Sequence, residues 1–154
     1  MFFRNFLKAN PAFKHFSDSD LDALSKAMHV EEYPDGHAFI YQGEQGKEMF
    51  MLVEGAVAVS RYDDLTGISE DLKVMRPGEL FGLLSLVDNL PAAATCAARG
   101  PVKVASMPRA AYNLLFQFAA PIAYHFQYLV AEQLARDLRD RDNALRKLLA
   151  ATAP

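Results

Sequence analysis

The 154-residue chain is 51% hydrophobic and 23% charged, and its formal net charge is −3. This length and apolar content suffice for one well-buried domain, and the charge does not favour a nucleic-acid partner. A single cysteine, Cys96, excludes an internal disulfide and a zinc site built from several thiolates. Because no segment has the roughly 18 apolar residues of a membrane helix or the features of a signal peptide, we expect a cytoplasmic protein without membrane contact.

The first 29 residues predict two helical pieces. Phe3, Phe6 and Leu7 have helical spacing and predict a short helix that packs on a larger body. Ser17 is a favourable N-cap for a second helix, because its side chain can accept a hydrogen bond from a free backbone N–H of the first turn. The predicted buried residues of this second helix are Leu21, Leu24 and Met28.

Between residues 30 and 107 the pattern changes to short β-rich segments separated by glycine-marked turns, among them Glu54-Gly55 and Gly100-Pro101. Spacings of about 8–12 residues favour a sandwich or barrel over alternating strands and helices. We predict a mainly β fold, a double-sheet jelly roll, interrupted by one short helix at Leu83–Val87. The predicted strands are Val30–Tyr33, Ala38–Gln42, Glu48–Val53, Val57–Tyr62, Leu72–Met75, Ala93–Ala98 and Val102–Met107.

Residues 108–149 return to a helical period and predict two closing helices. A short helix stops before Pro121, and a long one runs from Pro121 to about Leu149. Leucines at heptad-like positions of the long helix predict an interface between two copies of the chain. These dimer-helix candidates are Leu134, Leu138, Leu145 and Leu148. Opposite charges four residues apart predict a salt-bridged outer face, with the pairs Arg136–Asp140, Asp137–Arg141 and Asp142–Arg146.

The stretch from Arg76 to Thr95 is the candidate binding site. Pro77-Gly78 and Phe81-Gly82 predict a turn and then a tight junction between a strand and a helix. Backbone N–H groups at such a junction lack helical partners and can face an anion. No basic side chain lies between Arg76 and Arg99. From these residues alone, the stretch is an anion cradle without a cation of its own.

Glycine motifs recur in order along the predicted strands. They are Tyr33-x-x-Gly36-x-x-Phe39-Ile40-x-x-Gly43-Glu44, Met49-Phe50-x-Leu52-x-x-Gly55-x-Val57 and Pro77-Gly78-Glu79-x-Phe81-Gly82, followed by Pro91 and Ala93-Ala94-Thr95. Together with the flanking helices, these motifs resemble the cyclic nucleotide-binding domain, the sensor module of the catabolite activator family, of cyclic-nucleotide-dependent kinases and of nucleotide-gated channels. The resemblance spans roughly residues 12–149. It implies a single domain over 1–154, with N-terminal helices at 1–29, a jelly roll at 30–107, a phosphate-binding cassette at 81–95 and closing helices at 108–149.

The resemblance also implies roles for individual positions. In the family, a cassette glutamate binds the ribose 2′-hydroxyl and a cassette arginine pairs with the cyclic phosphate. Leu83 and Ala92 stand at these two positions here, and Ala93 stands at the small or hydroxyl position that follows. We therefore expect weak, lost or altered binding of cAMP or cGMP and no other cofactor. The cassette positions are Phe81, Gly82, Leu83, Leu84, Ser85, Ala92, Ala93 and Thr95.

The sequence thus predicts a non-catalytic regulatory module that forms a homodimer through its C-terminal helix and acts through an unidentified protein partner. Its pocket is expected to be collapsed, filled by an apolar ligand, or occupied by a cyclic nucleotide held by other residues. The alternative functions are a working cAMP- or cGMP-binding signalling protein and a dimeric interaction scaffold without a ligand. No catalytic residue, metal site or DNA-binding domain is predicted. A haem ligand at His125 or Cys96 is a further alternative, implied only by haem-sensing relatives of the family.

Overall fold

The computed structural model describes residues 2–82, 89–118 and 120–152. Within these residues, two N-terminal helices precede six strands, and two helices follow them. The predicted helix at Leu83–Val87 lies outside the described residues. The helices are α1 (Phe2–Ala9), α2 (Asp18–Ala27), α3 (Arg109–Phe118) and α4 (Ala120–Thr152), with one 3₁₀ turn at Pro11–Phe13. The strands are β1 (His29–Tyr33), β2 (Ala38–Ile40), β3 (Glu48–Asp63), β4 (Ile68–Met75), β5 (Leu80–Phe81) and β6 (Thr95–Pro108).

The strands form one antiparallel sheet in the order β1-β6-β3-β4, with β2 also paired to β6 and β5 also paired to β3. Two of its strands correct the sequence prediction, because the predicted turns at Glu54-Gly55 and Gly100-Pro101 do not break the chain into separate strands. The register of β3 against β6 shifts on both sides of Glu54, and Gly55 has a φ of 94°. Such a bulge bends a strand while the flanking residues stay paired. The predicted strands 48–53 and 57–62 are therefore one strand, and the predicted strands 93–98 and 102–107 are one strand that begins only at Thr95.

Strand β3 is buried on both faces and separates two parts of the core. Met49, Met51 and Val53 point to one side, where they pack with the N-terminal helices. Phe50 and Leu52 point to the other side, into the interior of the roll. The alternation follows from the period of two residues along an extended chain. It places Phe50 against Phe81 of β5, with ring centroids 5.0 Å apart.

The N-terminal helices cover one side of the roll, as their apolar residues predict. Phe3 and Leu7 of α1 are buried in the same cluster as Leu24 of α2. Helix α2 begins with a capping box, in which the Ser17 hydroxyl accepts from the backbone N–H of Asp20 and the Asp20 carboxylate accepts from that of Ser17. This reciprocal pair satisfies two donors that the helix leaves open.

Helix α4 closes the chain and is slightly longer than predicted, since it begins at Ala120 and ends at Thr152. Part of it packs on the roll, where Leu134 contacts the core, and Gln133 is 1% exposed. From Leu138 onward its residues are exposed. Among the helices of the described ranges, none has the length and apolar character that crossing a membrane requires.

The bulge in β3 depends on a glycine. A Cβ atom on Gly55 would lie 2.6 Å from the carbonyl oxygen of Pro101, whereas one on Gly36, which also has a positive φ, would meet nothing within 4 Å. We expect Gly36→Ala to cost about 1 kcal/mol of unfolding free energy, and Gly55→Ala about 2–4 kcal/mol because the clash adds to the backbone strain. Urea denaturation measures both variants. Equal decreases in the unfolding free energy of the two variants would contradict the requirement for glycine at the bulge.

Candidate functional site

A cavity of about 450 Å³ lies between the roll and helix α4. Strands β4 and β5, the segment that precedes β6, and α4 supply most of its lining. Most of the lining side chains are apolar, which makes the cavity suitable for an apolar ligand or an apolar part of one. The apolar lining residues are Ile40, Val59, Leu72, Met75, Leu80, Phe81, Ala92, Ala93, Ala94, Cys96, Leu134, Leu138 and Ala144.

The cavity wall at β5 is set by close packing. Phe81 lies opposite Phe50 of β3, and Gly82 follows it with a φ of 79°. A Cβ atom on Gly82 would lie 2.8 Å from the backbone oxygen of Glu48, so this position requires glycine. The chain therefore leaves β5 directly against β3, and both Phe81 and Gly82 line the cavity.

The opposite wall is held by the turn at residues 43–46. The backbone N–H of Gly43 donates to the oxygen of Ala92, and the N–H of Ala92 donates to the oxygen of Glu44, both at 2.8 Å. Arg109 adds a second restraint, since its guanidinium donates to Asn89 Oδ1 at 2.7 Å and to the oxygen of Gly46 at 2.9 Å. These hydrogen bonds hold the backbone at Ala92 in place. Its methyl group lies at the position where the family resemblance implies an arginine.

The predicted cassette residues divide into three groups. Phe81, Gly82, Ala92 and Ala93 line the cavity. Thr95 opens strand β6, where its hydroxyl accepts a hydrogen bond from the backbone N–H of Gln42 at 3.0 Å and serves to hold the turn. The remaining predicted positions, Leu83, Leu84 and Ser85, lie outside the described residues.

Four charged residues of the described lining were not predicted as site residues: Lys73, Asp137, Asp140 and Arg141. The Nζ atom of Lys73 lies 3.3 Å from a carboxylate oxygen of Glu79, 3.3 Å from one of Asp137 and 3.9 Å from one of Asp140. Partial burial lowers the pKa of Lys73, but the Glu79 and Asp137 carboxylates outweigh it and the net pKa is raised. Lys73 therefore stays charged and is already surrounded by negative charge.

The arginines nearest the cassette in sequence lie away from the cavity lining. Arg76 and Arg99 are both exposed, and neither lies among the described residues that line the cavity. In the sequence, Lys73 is a single charged residue within the predicted strand Leu72–Met75. This pattern did not predict that Lys73 would line the cavity or that its side chain would face α4.

The charged pairs predicted along α4 are replaced in part by contacts to the roll. Asp137 and Asp140 approach Lys73, while Arg136 donates to the side-chain oxygen of Gln133 at 2.9 Å. Gln133 in turn accepts from the backbone N–H of Leu80 at 3.3 Å. The predictions Arg136–Asp140 and Asp137–Arg141 were wrong, because both aspartates pair with Lys73 of β4 and Arg136 bonds Gln133 of its own helix.

The leucines predicted as a dimer seam do not share one environment. Leu134 packs against the core of its own chain and lines the cavity. Leu138 lines the cavity rim and is 62% exposed. Leu145 and Leu148 are exposed and lie beyond the cavity lining. Leu134 is half-buried against its own chain, and the prediction that these leucines form a dimer interface stays a prediction.

Cys96 lies in the cavity wall as a buried free thiol. Burial raises its pKa to about 11. A neutral thiol is a poor nucleophile and a poor metal ligand. Within the described ranges, no group of three or more His, Cys, Asp and Glu side chains could hold a metal ion.

The fold and this cavity define a class of protein: a β-roll domain with a mainly apolar pocket that a C-terminal helix covers on one side. The comparisons identify the family. The sequence model of the cyclic nucleotide-binding domain matches residues 30–117. The chain belongs to the cyclic nucleotide-binding domain family.

Individual relatives agree with this assignment. The chain is 34% identical over 118 residues to a cAMP-dependent protein kinase regulatory subunit of Mycosarcoma maydis, covering 73% of this chain and 22% of that protein. It is 29% identical over 136 residues to the cyclic AMP receptor protein of Thermus thermophilus, covering 88% of this chain and 61% of that one. A cyclic nucleotide-binding domain from Methylobacillus flagellatus superposes with a TM-score of 0.82 at 22% identity, over 93% of this chain and 80% of that one.

These matches confirm the predicted fold class, a jelly roll with N-terminal helices and a long C-terminal helix. The chain is a regulatory module, and its relatives are regulatory rather than catalytic proteins, in agreement with the prediction that it is not an enzyme. It spans less than two thirds of the length of the kinase subunit and of the receptor protein.

The raised pKa of Cys96 predicts slow alkylation. With a pKa of about 11, roughly one thiol in a thousand is ionised at pH 8, because each unit above the pH lowers the thiolate fraction tenfold. We expect iodoacetamide to label the folded chain slowly, and the rate to keep rising with pH beyond pH 9. Unfolding in urea should restore ordinary reactivity. Rapid labelling of the folded chain at pH 8 would contradict this account.

Proposed function

We propose that the chain is a regulatory module whose pocket has lost ordinary affinity for cAMP and cGMP and suits a mainly apolar ligand. One observation supports this most strongly. Ala92, at the position of the family's phosphate-binding arginine, lines the cavity, and the cation Lys73 in the same cavity is already surrounded by three carboxylates.

The missing arginine has a large expected effect. A hydrogen bond to a charged group contributes about 1.5–3 kcal/mol, and an arginine can make two such bonds to one phosphate. Their loss corresponds to a decrease in affinity of roughly two to four powers of ten. The absent glutamate, at Leu83, removes the expected contact to the ribose hydroxyl and weakens binding further.

The carboxylates of the described lining oppose an anionic ligand. Asp137 and Asp140 both line the cavity, and a cyclic phosphate that approached Lys73 would also approach their carboxylates. Like charges brought together in a partly buried site oppose binding. An uncharged, apolar ligand meets no such cost in this cavity of about 450 Å³.

Cyclic nucleotide binding is the second candidate function. It is favoured by the names of the relatives, which include a cAMP-dependent kinase subunit and a cyclic AMP receptor protein. It is also favoured by Arg141, an exposed cation at the cavity lining. In that case, Arg141 would replace the cassette arginine from the side of α4.

We further propose that the module passes its state to a second copy or to a partner protein through the outer part of α4. Leu145 and Leu148 are 54% and 63% exposed there. Exposed leucines at this spacing are typical of a helix that packs on another helix. A dimer without any ligand, acting as a scaffold, would use the same surface.

A single buried free cysteine suits a reducing compartment such as the cytoplasm.

The cassette substitutions predict a gain of function. In the wild type, about 1 mM cAMP should leave the melting temperature nearly unchanged, because a ligand stabilises the folded state only in proportion to its occupancy. Leu83→Glu combined with Ala92→Arg should produce a clear upward shift and raise affinity on the order of a hundredfold. The uncharged pair Leu83→Gln with Ala92→Gln is the matched control. A clear shift in the wild type would overturn the proposal in favour of the second candidate.

The proposed interface predicts a change in mass. If two copies pack through α4, Leu145→Arg should convert a dimer into a folded monomer, because two buried guanidinium groups would face each other. Light scattering after gel filtration measures the mass, and circular dichroism reports the fold. Leu65→Arg, at a side chain 96% exposed on another part of the surface, is the control. A monomeric wild type would exclude the dimer.

A further inference from the structure

The ion pairs of Lys73 join two separate elements of the domain, a strand of the roll and the C-terminal helix. Lys73 belongs to β4, and Asp137 and Asp140 belong to α4. The two aspartates are three residues apart and so lie on one face of the helix. Their carboxylates approach the same ammonium group, at 3.3 Å and 3.9 Å. Glu79, at 3.3 Å, holds that group from the roll side.

A hydrogen-bonded amide extends the same contact. The side chain of Gln133 is buried, accepts from the backbone N–H of Leu80 at 3.3 Å and donates to Asp137 Oδ1 at 3.1 Å. Leu80 is the first residue of β5, which leads into the cassette. One connected network therefore links the cassette strand, β4 and α4.

We propose that Lys73 is a built-in tether that holds α4 on the roll without a ligand. Lys73, Asp137 and Asp140 are themselves part of the cavity lining, so the tether closes one side of the pocket with groups of the protein. The position of α4 then depends on the ionic contacts of Lys73, and a change in those contacts releases the helix.

The partial exposure of the charged side chains gives the tether an intermediate strength, so that it holds α4 but can also open. The side chains of Lys73 and Glu79 are each 27% exposed, while that of Asp140 is 65% exposed. Partly buried charges are screened less by salt than exposed ones, yet they remain sensitive to it. The positive charge of Lys73 is retained at neutral pH, because the net effect of its surroundings raises its pKa.

A matched lysine exists elsewhere on the sheet. Lys103 of β6 is 24% exposed and has two carboxylate partners, Glu32 at 3.9 Å and Glu54 at 3.7 Å. These partners belong to strands β1 and β3, so the cluster involves no residue of α4. Lys73→Met and Lys103→Met therefore each remove a lysine with carboxylate partners, of which only the first connects to α4, while the second also loses a contact with the Phe2 ring of α1.

Hydrogen exchange of the full chain, without added ligand, tests the tether. In Lys73→Met, we expect the backbone amides of α4 beyond residue 131 to exchange on the order of fivefold faster than in the wild type, because the ion pairs oppose local opening. Lys103→Met should leave these amides unchanged. Raising NaCl from about 0.05 M to about 0.5 M should accelerate the same amides in the wild type but not in Lys73→Met.

The carboxylate side of the network provides a second test that does not alter the roll. Asp137→Asn with Asp140→Asn should reproduce the effect of Lys73→Met, and combining all three changes should add little, because they remove one interaction. Asp142→Asn, an exposed position of the same helix, is the control. Faster exchange in β3 and β6 of Lys73→Met would show that this change unfolds the roll. In that case, the variant with Asp137→Asn and Asp140→Asn tests the tether. The proposal fails if α4 exchanges at the wild-type rate in that variant, or if Asp142→Asn has the same effect.

Discussion

Strands β3 and β6 pair antiparallel from Glu48 opposite Pro108 to Ser60 opposite Thr95, and both carry buried side chains on their two faces. This long, bent ladder connects every part of the domain. One face of β3 receives the N-terminal helices, and the other forms the interior of the roll and supports Phe81 of β5. Because β5 leads into the cassette, the position of the binding site follows from the packing of β3.

The proposed change in pocket chemistry leaves the frame of the family fold in place. The turn at residues 43–46 and the guanidinium of Arg109 hold the segment around Ala92 in place, although no charged side chain is present there to be positioned. The positive charge in the described cavity comes instead from β4 and α4. Lys73 is engaged by the protein's own carboxylates, which shifts its role from recognition of an external anion to attachment of a helix.

Helix α4 therefore has two functional parts. Its inner part contributes Gln133, Leu134 and Asp137 to the core, the cavity and the ionic network. Its outer part carries exposed leucines and is available to another molecule. Under the proposal above, a rigid helix that spans both parts would carry a change at the pocket to the outer surface, since its backbone hydrogen bonds resist bending in between. The regulatory output of the module is best sought at that end.

Much of the fold was predictable from the sequence by itself, because the relevant patterns are local. The period of two in β3, the cap at Ser17 and the ordered glycine motifs determined the roll, its flanking helices and the family. Leu83 and Ala92 likewise gave the expectation, still a prediction, that the family's two charged anchors are missing. Only the tertiary structure decided that Gly55 bends a strand instead of ending it, that Leu134 packs inside its own chain, and that Lys73 meets Asp137, 64 residues away. A local pattern records which face of an element is apolar, whereas the partner of a charged side chain depends on which distant element packs beside it.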